Sequence, residues 1–423
     1  MDDAVGGVAL AVKAMRLARR GSGEAFEGTA YVGGGAEVIE AVAKRFGRSP
    51  LAVLEEIVKG LLVKKGADWT ATILGEYVGL YAPSRGAFCV VAEKATGKLV
   101  AHAVVFQSSV HPTAGLLAHV RTADGWGGLG LGTLVTEEVT RAAFEAGAKV
   151  VVLETDDRLV RKKEGERAAF GVYGKIGYAV LAEERKGEGE ARGWLMAIDA
   201  ELLARGQEAK RANGGAFPSE HGEEIGRRQE AFGAETRRRF GVEVKEARIE
   251  AVNAGDLAGL FLLLNLHPPD DFRLKLAAWG VVSGAELERS FVVSVRPAVL
   301  DRDRLEEAGQ VLREPTTGIV AVCAARLMAP FSRRIYEMDF YCLPEFLATN
   351  EARVRALVEA TIERIRRAAE RPRPCRLRFS GVDAAKVRLM TELGFGRSGS
   401  GRAYPGMGDA ALKEVNDYER VLD

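Results

Sequence analysis

A short glycine-rich stretch is the part of this sequence whose composition most directly suggests chemistry. Five of the eight residues from 125 to 132 are glycine, and the stretch joins an alternating, strand-like run, 116–122, to a helix-like run, 133–146. Glycine lets the backbone turn tightly and lets a ligand approach the main chain closely. The first amides of the following helix, and its positive dipole end, point into such a loop. This arrangement favours an anion site, most often for phosphate or pyrophosphate.

Titratable side chains near this loop could move a proton. His119 lies on the strand-like run that ends in the loop, and the pKa of histidine suits proton transfer at neutral pH. Glu154 ends the next Val-rich run and is followed by Asp156 and Asp157. These carboxylates could attract a cationic amine or relay its proton. The alternatives are a buried, hydrogen-bonded histidine and solvated carboxylates at a strand end, and the sequence leaves both open.

The residues around the loop alternate between strand-like and helix-like patterns. Upstream, two β-type runs flank a turn at 94–98 and predict a hairpin. Downstream, an unbroken Val-rich run is typical of a buried parallel strand. The predicted elements are strands at 87–92, 99–107 and 116–122, the helix after the loop, a strand at 149–154, a helix at 168–175, and a closing hairpin of 178–182 and 194–198.

The N-terminal segment is mostly helical in pattern. Residues 7–19 fit either a strand or a helix, and a convincing helical period covers 36–45. A Ser-Pro pair at 49–50 is a good cap for a helix at 51–63. A shorter helical pattern covers 70–81.

A similar order of elements recurs in the second half, which predicts an internal structural repeat. We therefore predict a first domain at 1–200, a polar helical connector at 201–240 and a second domain at 241–423. The predicted elements of the repeat are a strand at 242–249, helices at 256–264 and 272–291, strands at 318–327 and 334–341, a helix at 351–369, a strand at 376–379, a helix at 384–393 and a final strand pair.

Two motifs in this order of elements resemble the GNAT (N-acetyltransferase) superfamily. Residues 127–132, Gly-Gly-Leu-Gly-Leu-Gly, resemble the family's Arg/Gln-x-x-Gly-x-Gly/Ala loop for the pyrophosphate of acyl-CoA. Residues 173–178, Tyr-Gly-Lys-Ile-Gly-Tyr, resemble its Tyr-x-x-x-Gly-Phe signature. The resemblance covers about 87–200 closely and 1–86 loosely. It implies an α/β (α+β) protein of two GNAT-like domains, each a mixed, mainly antiparallel central sheet flanked by helices.

The resemblance also implies a co-substrate, acetyl-CoA, and a reaction, acetyl transfer to an amine by direct attack in a ternary complex. The acceptor would be a small-molecule or peptide amine that the sequence does not identify. In the family, the pantetheine arm pairs with the strand before the loop, and loop amides hold the pyrophosphate. The implied cofactor-binding residues are Val120, Arg121, Thr122, Gly127, Gly128, Leu129, Gly130, Leu131, Gly132 and Thr133.

The resemblance further implies catalytic roles for two residues, to which the position of Glu154 at the end of the Val-rich run adds a third candidate. Tyr173 is expected to act as general acid on the CoA sulfur, because a phenol has a pKa near that of a thiol. The family often places a base on the strand before the loop, where His119 stands, and Glu154 is the other candidate.

The sequence departs from the family pattern in two places. Gly127 stands where the family has Arg or Gln, so one side-chain contact to the pyrophosphate is missing. In the second half, Met390 stands where the signature tyrosine is expected, and the loop region 341–347 has no glycine. There, Pro344 lacks an N–H and Glu345 would repel phosphate, so we expect the second domain to be a degenerate copy that does not bind acyl-CoA.

Composition narrows the class of protein. The 60 basic and 59 acidic residues nearly cancel, and nothing in that balance suggests nucleic acid or an anionic membrane as a partner. The N-terminus lacks the pattern of a signal peptide, and no apolar run is long enough to span a membrane. The four scattered cysteines predict reduced thiols in a cytoplasmic protein, and the five histidines predict no metal site. A homodimer is a possible assembly.

Two other functions compete with an acetyltransferase. The pattern Gly125-x-Gly127-x-x-Gly130 also matches a dinucleotide fingerprint, but the acidic residues at 154–157 lie later than the expected spacing of about 20 residues, and an antiparallel hairpin precedes it. A non-catalytic CoA-binding sensor or assembly module is the second alternative, favoured by the missing Arg or Gln side chain. Binding of acetyl-CoA without thiol release on any amine would favour the sensor, and NADH binding would favour the oxidoreductase.

Overall fold

A computed structural model gives the fold of the chain. The residues that it describes are 13–19, 22–57, 84–108, 111–156, 169–185, 192–215, 223–241, 244, 246–252, 256–266, 309–327, 335–367, 374–405 and 412–422.

The chain divides into two compact units. One comprises Met1–Ala179 with Met196–Glu230, and the other comprises Val180–Leu195 with Ala231–Asp423. The domain boundaries at 200 and 240 stay predictions.

The first half contains eight described strands and six described helices. The strands are β1 Lys13–Arg19, β2 Ser22–Gly33, β3 Ser84–Glu93, β4 Leu99–Ser108, β5 Ala114–Thr122, β6 Val150–Asp156, β7 Ala179–Arg185 and β8 Arg192–Ile198. The helices are α1 Gly35–Arg45, α2 Pro50–Glu55, α3 Leu131–Glu145, α4 Ala169–Ile176, α5 Ala200–Ala212 and α6 Glu223–Gly241.

The eight strands form one sheet in the order β1-β2-β3-β4-β5-β6-β8-β7. Pairing is antiparallel from β1 to β5, and β5 pairs with β6 in parallel. Strand β4 is buried along its whole length, which suits its run of Val, Ala and Phe at the centre of the sheet. The sheet is thus mixed and mainly antiparallel, as the sequence predicts.

Helices α1 and α2 pack on one face of this sheet through a cluster of buried apolar side chains. Val38, Ile39 and Val42 of α1 meet Phe88 and Phe106 of the sheet in this cluster. Helix α2 starts as the Ser-Pro pair predicts, because the Ser49 hydroxyl accepts a hydrogen bond from the Ala52 amide at 3.1 Å. Helix α3 packs against β3, β4 and β5. It lies on the opposite face of the sheet, where the side chain of Gln107 donates a hydrogen bond to the Ala143 carbonyl of α3.

The second half contains seven described strands and three described helices. The strands are β9 Arg248–Ala251, β10 Gln310–Glu314, β11 Gly318–Leu327, β12 Ile335–Cys342, β13 Cys375–Gly381, β14 Gly396–Pro405 and β15 Leu412–Leu422. The helices are α7 Leu257–Asn265, α8 Pro344–Arg367 and α9 Ala384–Glu392. The seven strands form a second sheet in the order β14-β15-β13-β12-β11-β10-β9. Among its described pairings, only that of β12 with β13 is parallel.

The predicted fold class, two mixed sheets flanked by helices, is confirmed, although some elements differ. Strand β9 is shorter than the strand predicted at 242–249, and α8 begins well before residue 351. Strands β2 and β10 were not predicted. The helices predicted at 70–81 and 272–291, and the end of that predicted at 51–63, lie outside the described residues.

Within the described residues, no helix is both long and apolar enough to cross a membrane. All four cysteines are buried free thiols.

Candidate functional site

The glycine loop between β5 and α3 adopts a backbone that side chains disfavour. Gly125, Gly128 and Gly130 have φ of 84°, 76° and 79°, and Gly130 is the N-cap of α3 in the left-handed conformation. A residue with a Cβ pays roughly 1–2 kcal/mol for such a conformation. A Cβ placed on any of these glycines, or on Gly127, would meet no atom within 4 Å. Open space therefore lies beside these glycines.

The first turn of α3 presents its amides towards this space. The first hydrogen bond of the helix runs from the Leu134 amide to the Gly130 carbonyl at 3.0 Å. The amides of Leu131, Gly132 and Thr133 precede that bond, and no acidic side chain lies in the first turn. This end of α3 can hold an anion through amides and the helix dipole.

Strands β5 and β6 separate beside the loop. Their parallel pairing covers Ala114 to Leu116 on β5 and Val150 to Val152 on β6, and it ends there. Beyond this point the facing edges of 117–122 and 153–156 make no pairing with each other among the described residues. We call the space between them the strand gap. An extended chain that enters this gap could pair with the backbone of β5 as an added strand does.

A β-bulge lies on β5 at the strand gap. His102 of β4 pairs with Arg121, whereas Val104 pairs with Ala118, so His119 and Val120 both stand opposite one residue of β4. His119 has φ of 53° and is the only non-glycine residue with positive φ among those described. Bulges of this kind reorient side chains and often lie beside active sites.

The side chains at the strand gap sort onto two faces of the sheet. We call the face that packs on α1 and α2 the α1 face, and its opposite the α3 face. Phe106 and its partner Leu116 lie on the α1 face, and Val152, which pairs with Leu116, shares it. Glu154, two residues beyond, projects to the same face.

Arg121 lies on the α1 face and Thr122 on the α3 face. His102 pairs with Val90 of the apolar cluster, so its partner Arg121 shares that face. The Thr122 hydroxyl is 3.4 Å from where a Cβ of Gly132 would stand, which places it by the α3 N-terminus.

Two histidines meet at the bulge. His102 is fully buried, and its Nδ1 lies 3.3 Å from the carbonyl oxygen of His119. Because a carbonyl only accepts, Nδ1 carries the proton. Burial, and then the charge of His119, lower the pKa of His102 to about 3, so it is neutral at physiological pH. His119 itself is 7% exposed and lies edge-on to Phe106, with 5.8 Å between ring centroids.

Tyr173 lies on α4, which packs against α3 and β6. Its ring is buried and edge-on to Tyr178, with 5.9 Å between centroids. Tyr178 in turn shares a hydrogen bond of 2.7 Å with Thr140 of α3. Burial raises the pKa of Tyr173 to about 12. The predicted acid is therefore fixed beside α3, whereas His119 and Glu154 share the α1 face.

The second sheet repeats the strand gap but not the loop. Strands β12 and β13 pair in parallel only from Ile335 to Glu337, and β11 and β12 pair without a bulge. Strand β12 ends at Cys342 and α8 begins at Pro344, so no loop intervenes.

The ammonium of Lys386 contacts β12 just past the last parallel pair. It lies 3.5 Å from the buried carboxylate of Asp339 and 5.2 Å from the ring centroid of Phe340. This half therefore carries an internal ion pair beside its strand gap, and the described connection from β12 to α8 offers no anion-binding loop.

Sequence reasoning missed several of these features. The bulge, the neutral His102 and the Lys386–Asp339 pair all depend on strands or helices that are distant in sequence. The positions of the predicted cofactor-binding residues are as expected in outline: Val120, Arg121 and Thr122 end β5, and residues 127–133 form the loop and the first turn of α3. Their binding roles stay predictions. No metal-binding group of three or more His, Cys, Asp or Glu side chains occurs in the described part of the chain.

No family model matches this chain, and no curated protein matches it. Among solved structures, it is similar to yncA from Salmonella typhimurium, whose structure holds acetyl-CoA, at 15% identity over 27% of this chain and 64% of that one, with a TM-score of 0.22. It is also similar to a GNAT acetyltransferase from Streptococcus pneumoniae, at 20% identity over 27% of this chain and 67% of that one, with a TM-score of 0.22.

A third similar structure is an aminoglycoside 6′-N-acetyltransferase with coenzyme A, at 12% identity over 44% of this chain and 96% of that one, with a TM-score of 0.27. The match spans less than two thirds of the yncA chain.

Proposed function

We propose that the first half of this protein is an acyl-CoA-dependent N-acetyltransferase that acts by direct attack in a ternary complex. One observation carries the proposal: the left-handed glycine loop at the start of α3 lies at the end of the bulged strand β5, beside the strand gap. An anion site and an open strand edge thus meet at one place. These are the two features that a phosphate-bearing, extended thioester requires.

The residues present fit such a co-substrate. Open space lies beside Gly127, Gly128 and Gly130, and the first amides of α3 face it. The backbone of 120–122 offers an edge for the pantetheine arm, and Thr122 stands next to Gly132. The thioester supplies an activated acetyl group. The chain supplies the amides that hold the phosphates and the edge that orients the arm.

The α1 face supplies the proton acceptor. In the transfer, the amine nitrogen forms a bond to the acetyl carbon, the carbon–sulfur bond breaks, and the amine loses a proton. His119 and Glu154 both lie on this face beside the strand gap, so either can take that proton directly or through water. His102 is a positioning residue, because its Nδ1–H holds the His119 carbonyl at the bulge.

Tyr173 serves the departing sulfur as a hydrogen-bond donor. Since burial raises the pKa of Tyr173 to about 12, its phenol stays protonated at every physiological pH. Complete proton transfer to a thiolate whose conjugate acid has a pKa of about 8.5 would cost roughly 5 kcal/mol. A hydrogen bond to the developing thiolate avoids that cost, and the thiolate needs no full proton from Tyr173 in order to leave.

The test is thiol release from acetyl-CoA by the full chain with a panel of amines, measured against the same mixture without amine. Amine-dependent release with formation of the acetylated product supports the proposal. Tyr173→Phe should lower kcat about 10- to 100-fold, the value of a hydrogen bond to a charged atom, and leave acetyl-CoA affinity intact.

A CoA-binding sensor is the second candidate. The observation that favours it is the combination of Gly127, which offers no side chain to the phosphates, with a tyrosine that is a poor acid. Acetyl-CoA binding without thiol release on any amine would favour the sensor over the transferase.

A further inference from the structure

The α1 face of the strand gap carries opposite charges on its two sides. Arg121 projects from β5 to this face. It pairs with His102 of β4, which in turn pairs with Val90 of β3, and Val90 belongs to the apolar cluster. Glu154 projects to the same face from β6. Helix α3 lies on the other face. An acceptor that meets the thioester from the α1 face therefore passes between a guanidinium and a carboxylate.

The guanidinium of Arg121 is held weakly. The partner that the structure gives it is Asp124, at 3.4 Å, and the side chains of Arg121 and Asp124 are 30% and 73% exposed. A single long contact to a well-exposed carboxylate contributes little. A ligand carboxylate that meets the guanidinium with two parallel hydrogen bonds would form the stronger pair. Arg121 can therefore exchange Asp124 for a ligand.

The site discriminates among classes of amine by charge. A simple cationic amine gains from Glu154 but is repelled by Arg121. A zwitterion with a carboxylate close to its amine places each charge beside its opposite. Trp126 packs against the same apolar cluster, with its ring 5.4 Å from that of Phe26, and adds an apolar surface by the loop.

We propose that the acceptor is an α-amino acid, whose carboxylate binds Arg121 while its amino group lies towards Glu154 and the thioester. This inference rests on the proposed acetyltransferase function and names the acceptor class for the same site. The transfer converts the amino group into an amide. The ammonium first gives one proton to the base on the α1 face, which frees the nitrogen lone pair. The nitrogen–acetyl bond then forms, the carbon–sulfur bond breaks, CoA leaves as the thiolate, and the second proton of the nitrogen passes to water. Arg121 is thus a specificity-determining residue through its side chain, while its backbone lies on the edge that faces the strand gap.

The test compares each of a set of α-amino acids with its own carboxamide, at saturating acetyl-CoA. The set spans small, apolar, acidic and basic side chains, and each pair differs in the carboxylate alone. The amide has the less basic amine, so more of it is deprotonated at neutral pH, which biases the comparison against our expectation. We expect kcat/KM to be at least about tenfold higher for the preferred amino acid than for its amide, as a charged hydrogen bond would give.

Variants assign this preference to Arg121. Arg121→Gln should reduce the acid-to-amide ratio to about one, mainly through KM. Arg121→Lys keeps the charge but loses the planar fork, so its ratio should be intermediate. Asp124→Asn removes the competing carboxylate and should lower KM for the amino acid. Arg205→Gln is the matched control, because Arg205 is also 30% exposed and pairs with an exposed glutamate, Glu201, at 3.0 Å on α5.

The outcomes separate the two proposals. Thiol release at equal rates with acid and amide, or a ratio that Arg121→Gln leaves unchanged, would overturn the inference and leave the transferase in place. No release with any acceptor would overturn the transferase and the inference together. If Arg121→Gln fails to fold by circular dichroism, the ratios of Arg121→Lys and Asp124→Asn decide the question.

Discussion

An arginine at Gly127 should tighten acetyl-CoA binding. Gly127 is the loop position where the resembling family has Arg or Gln. A Cβ at this position would meet no atom within 4 Å, and the φ of Gly127 is outside the left-handed region. An arginine there therefore causes no backbone strain. A hydrogen bond to a charged phosphate contributes about 1.5–3 kcal/mol. Ordering a long exposed side chain costs up to about 2 kcal/mol. A net gain of about 1 kcal/mol remains, which corresponds to about a fivefold lower Kd.

Titration calorimetry with acetyl-CoA measures this change. Gly127→Glu occupies the same space with the opposite charge, and we expect it to raise Kd. Gly128→Arg brings the same side chain to a residue with φ of 76°. There, the roughly 1–2 kcal/mol of backbone strain offsets the gain. The reasoning is refuted if arginine and glutamate at Gly127 leave Kd equal to that of the unchanged chain, because the loop would then not be near the phosphates.

Three further predictions concern the loop, the bulge and the acid. Gly130→Ala should weaken acetyl-CoA binding and lower the unfolding free energy by roughly 1–2 kcal/mol, because the backbone of Gly130 is left-handed. Gly127→Ala should change neither quantity. Calorimetry measures the binding, and urea titration measures the unfolding free energy. The folded pKa of His102, about 3, is below its ordinary 6.5, so its contribution to stability is lost as pH falls through that window, by roughly 3 kcal/mol at pH 4.5. A His102→Gln variant should therefore show a shallower acid dependence of stability in urea titrations. Tyr173→Phe should lower kcat and leave acetyl-CoA Kd unchanged, and unchanged kcat would remove Tyr173 from the mechanism.

The glycine loop was predictable because its chemistry is local. Positive φ at Gly125, Gly128 and Gly130, and the helix that begins at Leu131, follow from adjacent residues. The hairpin of β3 and β4 and the Val-rich β6 also follow from periodicity within each run. The loop predicted at 341–347 in the second half was wrong, because the strand continues to Cys342 and α8 starts at Pro344.

Features that depend on distant partners were not predictable. Strand β2 has Phe26, Thr29, Ala30 and Tyr31 all buried, so both of its faces are covered and the alternation that marks a strand is lost. The bulge at His119 exists only relative to the register of β4, and nothing in the local sequence marks it.

The charges at the strand gap show the same limit. That Arg121 and Glu154 share a face depends on the pairing of three strands. The Lys386–Asp339 pair of the second half likewise joins α9 to β12. That the second half is a degenerate copy stays a prediction from its missing glycines, and the ion pair beside its strand gap was not predictable from the sequence.

The number of acetyl-CoA molecules bound per chain tests the central claim most directly. The loop and the bulge occur in the first half, whereas the described second half has neither, and has Lys386 beside its strand gap. Calorimetric titration of the full chain should therefore give one site per chain, weakened by Gly130→Ala and unaffected by Lys386→Met. Three results would contradict the assignment of acyl-CoA binding to the glycine loop: two sites per chain, no binding, or one site that Lys386→Met removes and Gly130→Ala leaves intact.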